Sequence, residues 1–291
     1  MPPSHLLLIL AINLIWGLNL VAAKVAFQQI PPLLFAALRF VLLFFVLLPW
    51  LRPVPGKMHL VLGAALTMGG AHFTLIYLGL ARADDVSSVA IATQLIVPFS
   101  TILSIVILKE RIRWRRALGI AFAFGGILVL GFDPRVMGYL DALAFVAIGA
   151  LFAAFGSVLL KQIGQAGVFQ IQAWFALVSW PILLVASGAV EEGQLQALID
   201  ADSWAWWLLV FSAFGASLIG HGGMYWLLQR HDLSLISPST LLSVVFAVTF
   251  GVLLLDDQLT PRMLLGGALS LFGVLIIALR QPRRGPVPAL D

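Results

Sequence analysis

The sequence predicts an all-α polytopic membrane protein that crosses the bilayer with ten transmembrane helices, arranged as two inverted five-helix repeats. Of its 291 residues, 61% are hydrophobic and 10% are charged, whereas an ordinary soluble domain carries roughly 25% charged residues. Apolar runs of membrane-spanning length follow one another along the chain, and part of the first half recurs in the second with its loop charges reversed. These observations exclude a water-soluble fold and indicate a protein embedded in lipid.

The apolar runs number ten, and short charged or Pro- and Gly-containing segments separate them, as expected for helices joined by tight turns in lipid. They cover residues 4–27, 32–51, 58–81, 84–108, 114–132, 138–160, 168–188, 203–228, 233–255 and 261–280. The first run has no Lys or Arg before it and no cleavage site, so we expect a retained span and not a signal peptide. The longest loop, 189–202, is acidic and can hold a short extramembrane turn of helix.

The cations indicate the orientation of these spans. Twelve of the 17 Lys and Arg residues fall on the side shared by both termini, and Arg39 falls inside span 2. The four cations on the opposite side are Lys24, Arg82, Arg135 and Arg262. Because Lys and Arg accumulate in cytoplasmic loops, both termini should be cytoplasmic. The cations are scattered, which argues against nucleic acid as a partner, and the absence of Cys excludes disulfides and thiolate metal sites.

Part of the sequence recurs at a spacing of 147 positions. The shift superimposes Asp85 on Asp232, Ser87 on Ser234, Thr93 on Thr240, Gly119 on Gly266 and Gly126 on Gly273. The predicted units, 4–132 and 138–280, hold five spans each, and an odd number of spans inverts the second unit. Loop 109–116 is strongly basic and its counterpart 256–262 is net acidic, as inversion requires. Inverted repeats are typical of secondary transporters, which expose a midplane site alternately to each side.

Polar residues in span 1 indicate which of its faces looks into the protein. Asn13, Trp16, Gly17 and Lys24 share one stripe at helical spacing, and Asn19 lies on its flank. An isolated polar group in lipid is costly, so this stripe is a candidate pore face. The alternative is a helix–helix contact in which Gly17 allows close approach and Asn13 bonds to a neighbour.

Spans 3 and 8 each carry a histidine and a tyrosine at membrane depth. His72 and Tyr77 belong to span 3, and His221 and Tyr225 lie four residues apart on one face of span 8. A histidine there can take part in proton coupling, or it can make a satisfied interhelical hydrogen bond.

Span 4 places Gln94, Pro98 and Thr101 near one stripe. Pro98 should free the carbonyl of Gln94 for a ligand, unless it serves only to kink the helix. Other candidate cavity residues, from spans 6, 7 and 9, are Ser157, Gln172, Trp174, Trp180, Pro238, Ser239 and Ser243. Spans 5 and 10 are almost wholly aliphatic with glycines, so we expect them to form a peripheral scaffold.

Several motifs together resemble the drug/metabolite transporter superfamily, EamA type. They are Ile15-Trp16-Gly17-Leu18-Asn19 with Lys24, Leu38-Arg39-Phe40, Pro98, Lys109-Glu110-Arg111, and Gly119 with Gly126. Within this superfamily the chain is most similar to YddG-like aromatic amino-acid exporters of bacterial inner membranes. The resemblance implies a basket of spans 1–4 and 6–9 around a central cavity, with spans 5 and 10 outside, and export of amino acids or similar metabolites.

The second repeat departs from the family pattern. Val245 stands at the counterpart of Pro98, Ala153-Ala154 replaces the Trp-Gly pair, and Asp257 stands in for Glu110. A symmetric pair of gates is therefore not expected, and any kink in span 9 must come from Pro238.

We expect an exporter of aromatic and other neutral amino acids that works by alternating access, without a cofactor, as a monomer or weak homodimer. No Asp or Glu lies near the centre of any predicted span, which favours facilitated movement over a carboxylate proton relay. Lys24 and Arg39 should lie near the external mouth, where each can snorkel to the interface or pair with Asp84 or Asp85. The alternatives are an intramembrane enzyme and a channel. An enzyme would need a catalytic motif and a channel would need a filter-like loop, and the sequence has neither. His72 and His221 could still meet in space, which keeps the enzyme as an alternative.

Overall fold

The structure is a computed structural model that describes residues 2–109, 114–164, 166–228, 230–231 and 236–279, and within these ranges it is helical without strands. Nine of the described helices are long and apolar enough to cross a membrane: Pro3–Ala26, Pro32–Trp50, Met58–Arg82, Val86–Leu108, Trp114–Gly131, Val136–Ile163, Val168–Val190, Ser203–Met224 and Pro261–Leu279. They are spans 1–8 and span 10. Span 9 is the shorter helix Leu241–Leu255, preceded by the 3-10 turn Ser237–Thr240. The all-α polytopic fold is thus confirmed.

Helix starts follow from proline and from capping carboxylates. Spans 1, 2 and 10 begin at prolines, which lack the N–H that a first turn leaves unpaired. Asp202 caps span 8 by accepting from the Ala205 N–H at 2.9 Å. Span 2 is capped from a distant part of the chain, because Glu191 accepts from the N–H groups of Leu33 and Leu34. The acidic loop before span 8 contains the expected short helix, Gln194–Asp200.

The two spans rich in glycine pack on each other. A Cβ added to Gly119 would lie 2.8 Å from the carbonyl oxygen of Gly273, and one added to Gly266 would lie 2.6 Å from that of Gly126. Spans 5 and 10 therefore approach at backbone distance, the contact that small residues permit between helices in lipid. Their outer faces expose large apolar side chains, such as Leu128.

The remaining spans pair in a regular pattern. Span 2 packs along span 7, span 1 along spans 8 and 9, and span 6 along spans 3 and 4. Glycines again mark the close contacts, since Cβ atoms added to Gly17 and Gly79 would fall 2.6 Å from Phe246 Cβ and 2.7 Å from Val146 Cγ2.

The described apolar core is distributed unevenly across the membrane. We call the side at which span 1 begins the N-terminal side and the opposite one the far side. One continuous cluster lies mostly in the far half and includes Leu33, Leu80 and Val86, all fully buried. Two smaller clusters lie on the N-terminal side, one around Ile12 and Leu227 and the other around Val54, Val61 and Ile163, and the continuous cluster also reaches this side through Leu47. The described apolar core is therefore larger and more continuous toward the far side.

Candidate substrate site

Arg39 lies inside the helix bundle and not at an external mouth. Its side chain is 2% exposed, and it donates to the Tyr77 hydroxyl at 2.6 Å and to Ser217 Oγ at 2.8 and 2.5 Å. The predicted pairing of Arg39 with Asp84 or Asp85 is wrong. The reason is depth, because seven residues of helix after the start of span 2 correspond to about 10 Å.

Aromatic rings surround the Arg39 guanidinium. Its Cζ atom lies 4.9 Å from the centroid of the Phe73 ring and 5.8 Å from that of Phe40. The Phe73 ring in turn contacts the rings of His72, Tyr77 and Phe40. The cation is therefore held by neutral hydroxyls and ring faces, on three helices that the sequence separates widely.

The two histidines at membrane depth, His72 and His221, differ in their contacts. His72 Nδ1 lies 2.9 Å from the carbonyl oxygen of Gly149 on span 6, which is the satisfied interhelical hydrogen bond that the sequence left open. His221 is exposed and makes no hydrogen bond to the described residues. The His72 ring contacts the ring of Phe73, which lies against Arg39, whereas the His221 ring contacts Trp16 of span 1.

The span 1 stripe divides between the two roles considered for it. Trp16 Nε1 donates to the Ala216 carbonyl of span 8 at 3.0 Å, and its ring centroid lies 5.2 Å from that of His221. Gly17 is a packing residue, because any side chain there would collide with span 9. Asn13 is fully buried and its amide donates to the carbonyl of Ile9 in its own helix.

Lys24 does lie near the far end of span 1, but its partners differ from those expected. Its Nζ donates to the carbonyl oxygens of Leu80, Ala81 and Ala83 at 2.9, 3.2 and 2.6 Å. These carbonyls end span 3, where backbone acceptors have no intrahelical partner and a cation is favoured. Lys24 therefore closes a helix terminus, and the predicted pairing with Asp84 or Asp85 is replaced by backbone contacts.

The expected free carbonyl in span 4 is absent. The helix is interrupted between Thr93 and Ile96, and the N–H of Val97 donates to the Gln94 carbonyl at 3.0 Å. A tighter turn thus uses the acceptor that Pro98 would otherwise release. Thr101 is buried and its hydroxyl donates to the Val97 carbonyl of the same helix.

Most of the other candidate hydroxyls bond within their own helix. Ser157, Ser239 and Ser243 donate to backbone carbonyls three or four residues earlier. Trp174 Nε1 donates to the Arg52 carbonyl at 2.9 Å, on the N-terminal side. The side chains of Tyr225 and Pro238, and the residues Glu110 and Asp232, lie outside the described residues.

Several buried polar atoms have no hydrogen-bond partner among the described residues. Those in spans 1 and 7 are the side-chain oxygens of Asn13 and Asn19, both polar atoms of the Gln172 amide, and Trp180 Nε1. Unpaired buried polar groups are unfavourable in a finished protein interior, so each is available to a bound molecule or water.

Two surface pockets lie at the ends of the bundle, away from Arg39. The far-side pocket has a volume of about 390 Å³ and is lined by Asp84, Asp85, Arg135, Tyr139, Leu255, Asp256, Asp257 and Gln258. Two of its carboxylates are occupied as helix caps: Asp85 accepts from the Ser88 N–H, and Asp257 from the N–H groups of Val86 and Ser87. The pocket on the N-terminal side has a volume of about 560 Å³ and is lined by Pro49, Trp50, Arg52, Gly167, Val168, Phe169 and Gln170.

Membrane-spanning helices around a buried cation, hydroxyls and aromatic rings define a polytopic membrane protein with a polar interior. Comparison with known families identifies which kind. The chain belongs to the EamA-like transporter family, whose sequence profile matches residues 3–132 and 141–279. The resemblance to EamA-type drug/metabolite transporters is thereby confirmed.

Relatives agree with this family. A protein of Escherichia coli K12 is 28% identical over 92% of this chain and 93% of its own length, and one of Salmonella typhimurium is 29% identical over the same shares. Both are named "Probable amino-acid metabolite efflux pump". The Bacillus subtilis protein YoaV, an uncharacterized transporter, is 26% identical over 95% of this chain and 97% of its own. A solved crystal structure with 18% sequence identity has the same fold, with a TM-score of 0.63 over 95% of this chain and 96% of that one.

Proposed function

We propose that this protein is a secondary transporter that exports aromatic and other neutral amino acids, or similar small metabolites, from the cytoplasm across the bacterial inner membrane. The observation that carries the proposal is the match to two relatives named as probable amino-acid metabolite efflux pumps, over more than nine-tenths of both chains. The described interior is suited to such a cargo, because it combines aromatic walls with the Arg39 cation and a few unpaired polar atoms.

Alternating access between two inverted repeats is part of the proposal, and matched distortions in the two halves support it. Spans 3 and 8, each the third helix of its repeat, contain the π-helical segments Ala65–Ala71 and Phe211–His221. Spans 4 and 9 both end at a residue in the left-handed conformation, Lys109 with φ 54° and Asp256 with φ 57°. These two residues are one repeat apart, and wide helical turns are frequent at functional sites.

We further propose that transport is facilitated and not coupled to protons through a carboxylate. In the described part of the spans, Asp and Glu occur only at helix ends. The expected orientation places both termini in the cytoplasm, so the N-terminal side of the bundle would receive the cargo.

Counterflow in proteoliposomes tests this function. Vesicles preloaded with unlabelled phenylalanine should accumulate external labelled phenylalanine, saturably, and a panel of labelled amino acids should define the range. Accumulation should persist when a protonophore removes the proton gradient. Vesicles that show no counterflow with any amino acid would refute amino-acid export, unsaturable flux would indicate a channel, and dependence on the gradient would refute facilitated movement.

A further inference from the structure

We propose that Arg39 is the residue that binds the carboxylate of the transported molecule. This inference rests on the proposed function and deepens it, because it restricts the cargo to molecules with an anionic group beside an apolar one. It assigns to Arg39 a ligand contact in the middle of the protein, in place of a charge at the external mouth.

The first argument is charge. An arginine side chain stays protonated in proteins, and Arg39 is 2% exposed within span 2. Among the described residues the only ion pair joins Arg82 to Asp141, at 3.7 Å, so no described carboxylate neutralises Arg39. A charged group inside a span is expensive and is by default part of a substrate or ion path. A bound carboxylate would supply the missing negative charge.

The second argument is the number of donors. A guanidinium has five N–H groups in a fixed fork that matches a carboxylate. Arg39 makes three hydrogen bonds, two to Ser217 Oγ and one to the Tyr77 hydroxyl. Two N–H groups therefore have no acceptor among the described residues. The two hydroxyls are also weaker acceptors for the guanidinium than a carboxylate, because a carboxylate can accept two parallel charge-assisted hydrogen bonds from arginine.

The third argument is the shape of the surroundings. Phe73 and Phe40 lie against the guanidinium and provide an apolar wall for the rest of a ligand. On the far side of Arg39 the continuous core, with Leu33 and Leu34 at no more than 3% exposure, closes the path. On the N-terminal side the described core is less continuous, because two separate clusters lie there beside Leu43 and Leu47 of the continuous cluster. The less continuous side is the one from which export would load the ligand.

A matched series of ligands tests the proposal on the unmodified protein. The full-length protein in detergent micelles is saturated with labelled L-phenylalanine and challenged with unlabelled L-phenylalanine, L-phenylalaninamide or L-phenylalaninol. The amide and the alcohol keep the ammonium group and the ring but lack the carboxylate. We expect both to compete at least tenfold more weakly, the factor expected for a lost hydrogen bond to a charged group.

Variants then connect this preference to Arg39. Arg39→Gln should weaken phenylalanine binding roughly tenfold to a hundredfold and abolish the preference for the acid over the amide, while Arg39→Lys should retain part of both. Arg82→Gln is the control, because Arg82 is an exposed arginine paired with Asp141 at the end of span 3. It should leave affinity and preference unchanged.

The outcomes separate the two proposals. Equal competition by acid and amide, or an Arg39→Gln protein that keeps the acid preference, overturns the role of Arg39 and leaves amino-acid export standing. A wild-type protein that neither binds nor exchanges any amino acid refutes the proposed function itself. If Arg39→Gln does not fold, Ser217→Ala is the variant that tests the role of Arg39. It keeps the arginine and removes the acceptor of two of its N–H groups. The ratio of acid to amide affinity should then change at least threefold, and an unchanged ratio would show that Arg39 only ties the helices together.

Discussion

Replacing Gly126 by alanine should destabilise the protein through the contact between spans 5 and 10. The new Cβ would lie closer than 3.0 Å to three atoms of span 10: the Gly266 carbonyl oxygen and the N and Cα atoms of Ser270. All three belong to backbone, so no side chain can swing away and the two helices must separate.

Gly125 provides a control one residue away in the same helix. A Cβ added there meets nothing within 4 Å, so Gly125→Ala keeps only the helix-propensity gain of alanine over glycine, about 0.5–1 kcal/mol. Gly126→Ala has the same gain, but it also pays an overpacking penalty of about 1–3 kcal/mol. The free energies of unfolding of the two variants should therefore differ by about 1–3 kcal/mol, with Gly126→Ala the less stable.

The difference in stability between the two variants is measured in detergent by intrinsic tryptophan fluorescence during heating. Gly126→Ala should unfold at a lower temperature than wild type, and Gly125→Ala at the same or a higher one. Because the described partners of Arg39 lie in spans 2, 3 and 8, folded Gly126→Ala protein should keep the wild-type affinity for its substrate. Equal unfolding temperatures for the two alanine variants would refute the close contact between spans 5 and 10.

Three further predictions concern capping, pH and the span 1 to span 8 contact. Glu191→Gln should lower the free energy of unfolding by about 1–3 kcal/mol, because two N–H groups at the start of span 2 lose their charged acceptor; Glu192→Gln, at an exposed neighbour, is the control in the same thermal assay. Burial raises the pKa of Asp133, but hydrogen bonds from the Thr260 hydroxyl and two backbone N–H groups outweigh it, and its pKa falls below the usual 3.8. Asp133 therefore stabilises the fold at a pH above its unfolded pKa, and this stabilisation is lost as the pH drops through its folded pKa. The difference in unfolding temperature between wild type and Asp133→Asn should shrink between pH 5 and pH 2. A difference that stays constant over this range would contradict the assignment. Trp16→Phe, which removes only the indole hydrogen bond to span 8, should lower counterflow severalfold with normal yield of folded protein; parallel losses of yield and flux would identify Trp16 as a packing residue.

The sequence was sufficient to predict the spans and the family, because both depend on local hydropathy and on motifs. It also predicted the short helix in the acidic loop. Helix capping by distant residues could not be predicted from the sequence. Asp257 and Ser87 are 170 positions apart, and the hydrogen bond between them depends on how spans 4 and 9 pack. The prediction of a free Gln94 carbonyl was wrong for a related reason. The helix tightens locally at the break before Pro98, and a hydropathy pattern does not reveal that turn.

The candidate site was predicted only in part. Trp16, His72 and Tyr77 were recognisable as polar or amphipathic residues at membrane depth, but Phe73 is one of 20 phenylalanines and nothing singled it out. Ser217 was missed because it lies in a π-helical segment, where the 3.6-residue period used to assign faces does not hold. Arg39 was noticed but misplaced, since a lone cation in a span suggests snorkelling until its two hydroxyl partners, 38 and 178 positions away, are known.

The partners of Arg39 lie on two helices that the proposed repeat would make equivalent. Tyr77 and Ser217 lie in spans 3 and 8, the third helix of each proposed repeat. Span 7, which would be the counterpart of span 2, contains no Lys or Arg. Arg39 therefore ties spans 3 and 8 to span 2 by hydrogen bonds, and a bound carboxylate would share the same guanidinium. If Arg39 binds the cargo as proposed, a bound carboxylate would contact the one side chain that links span 2 to both π-helical spans, and this shared contact would connect occupancy to movement.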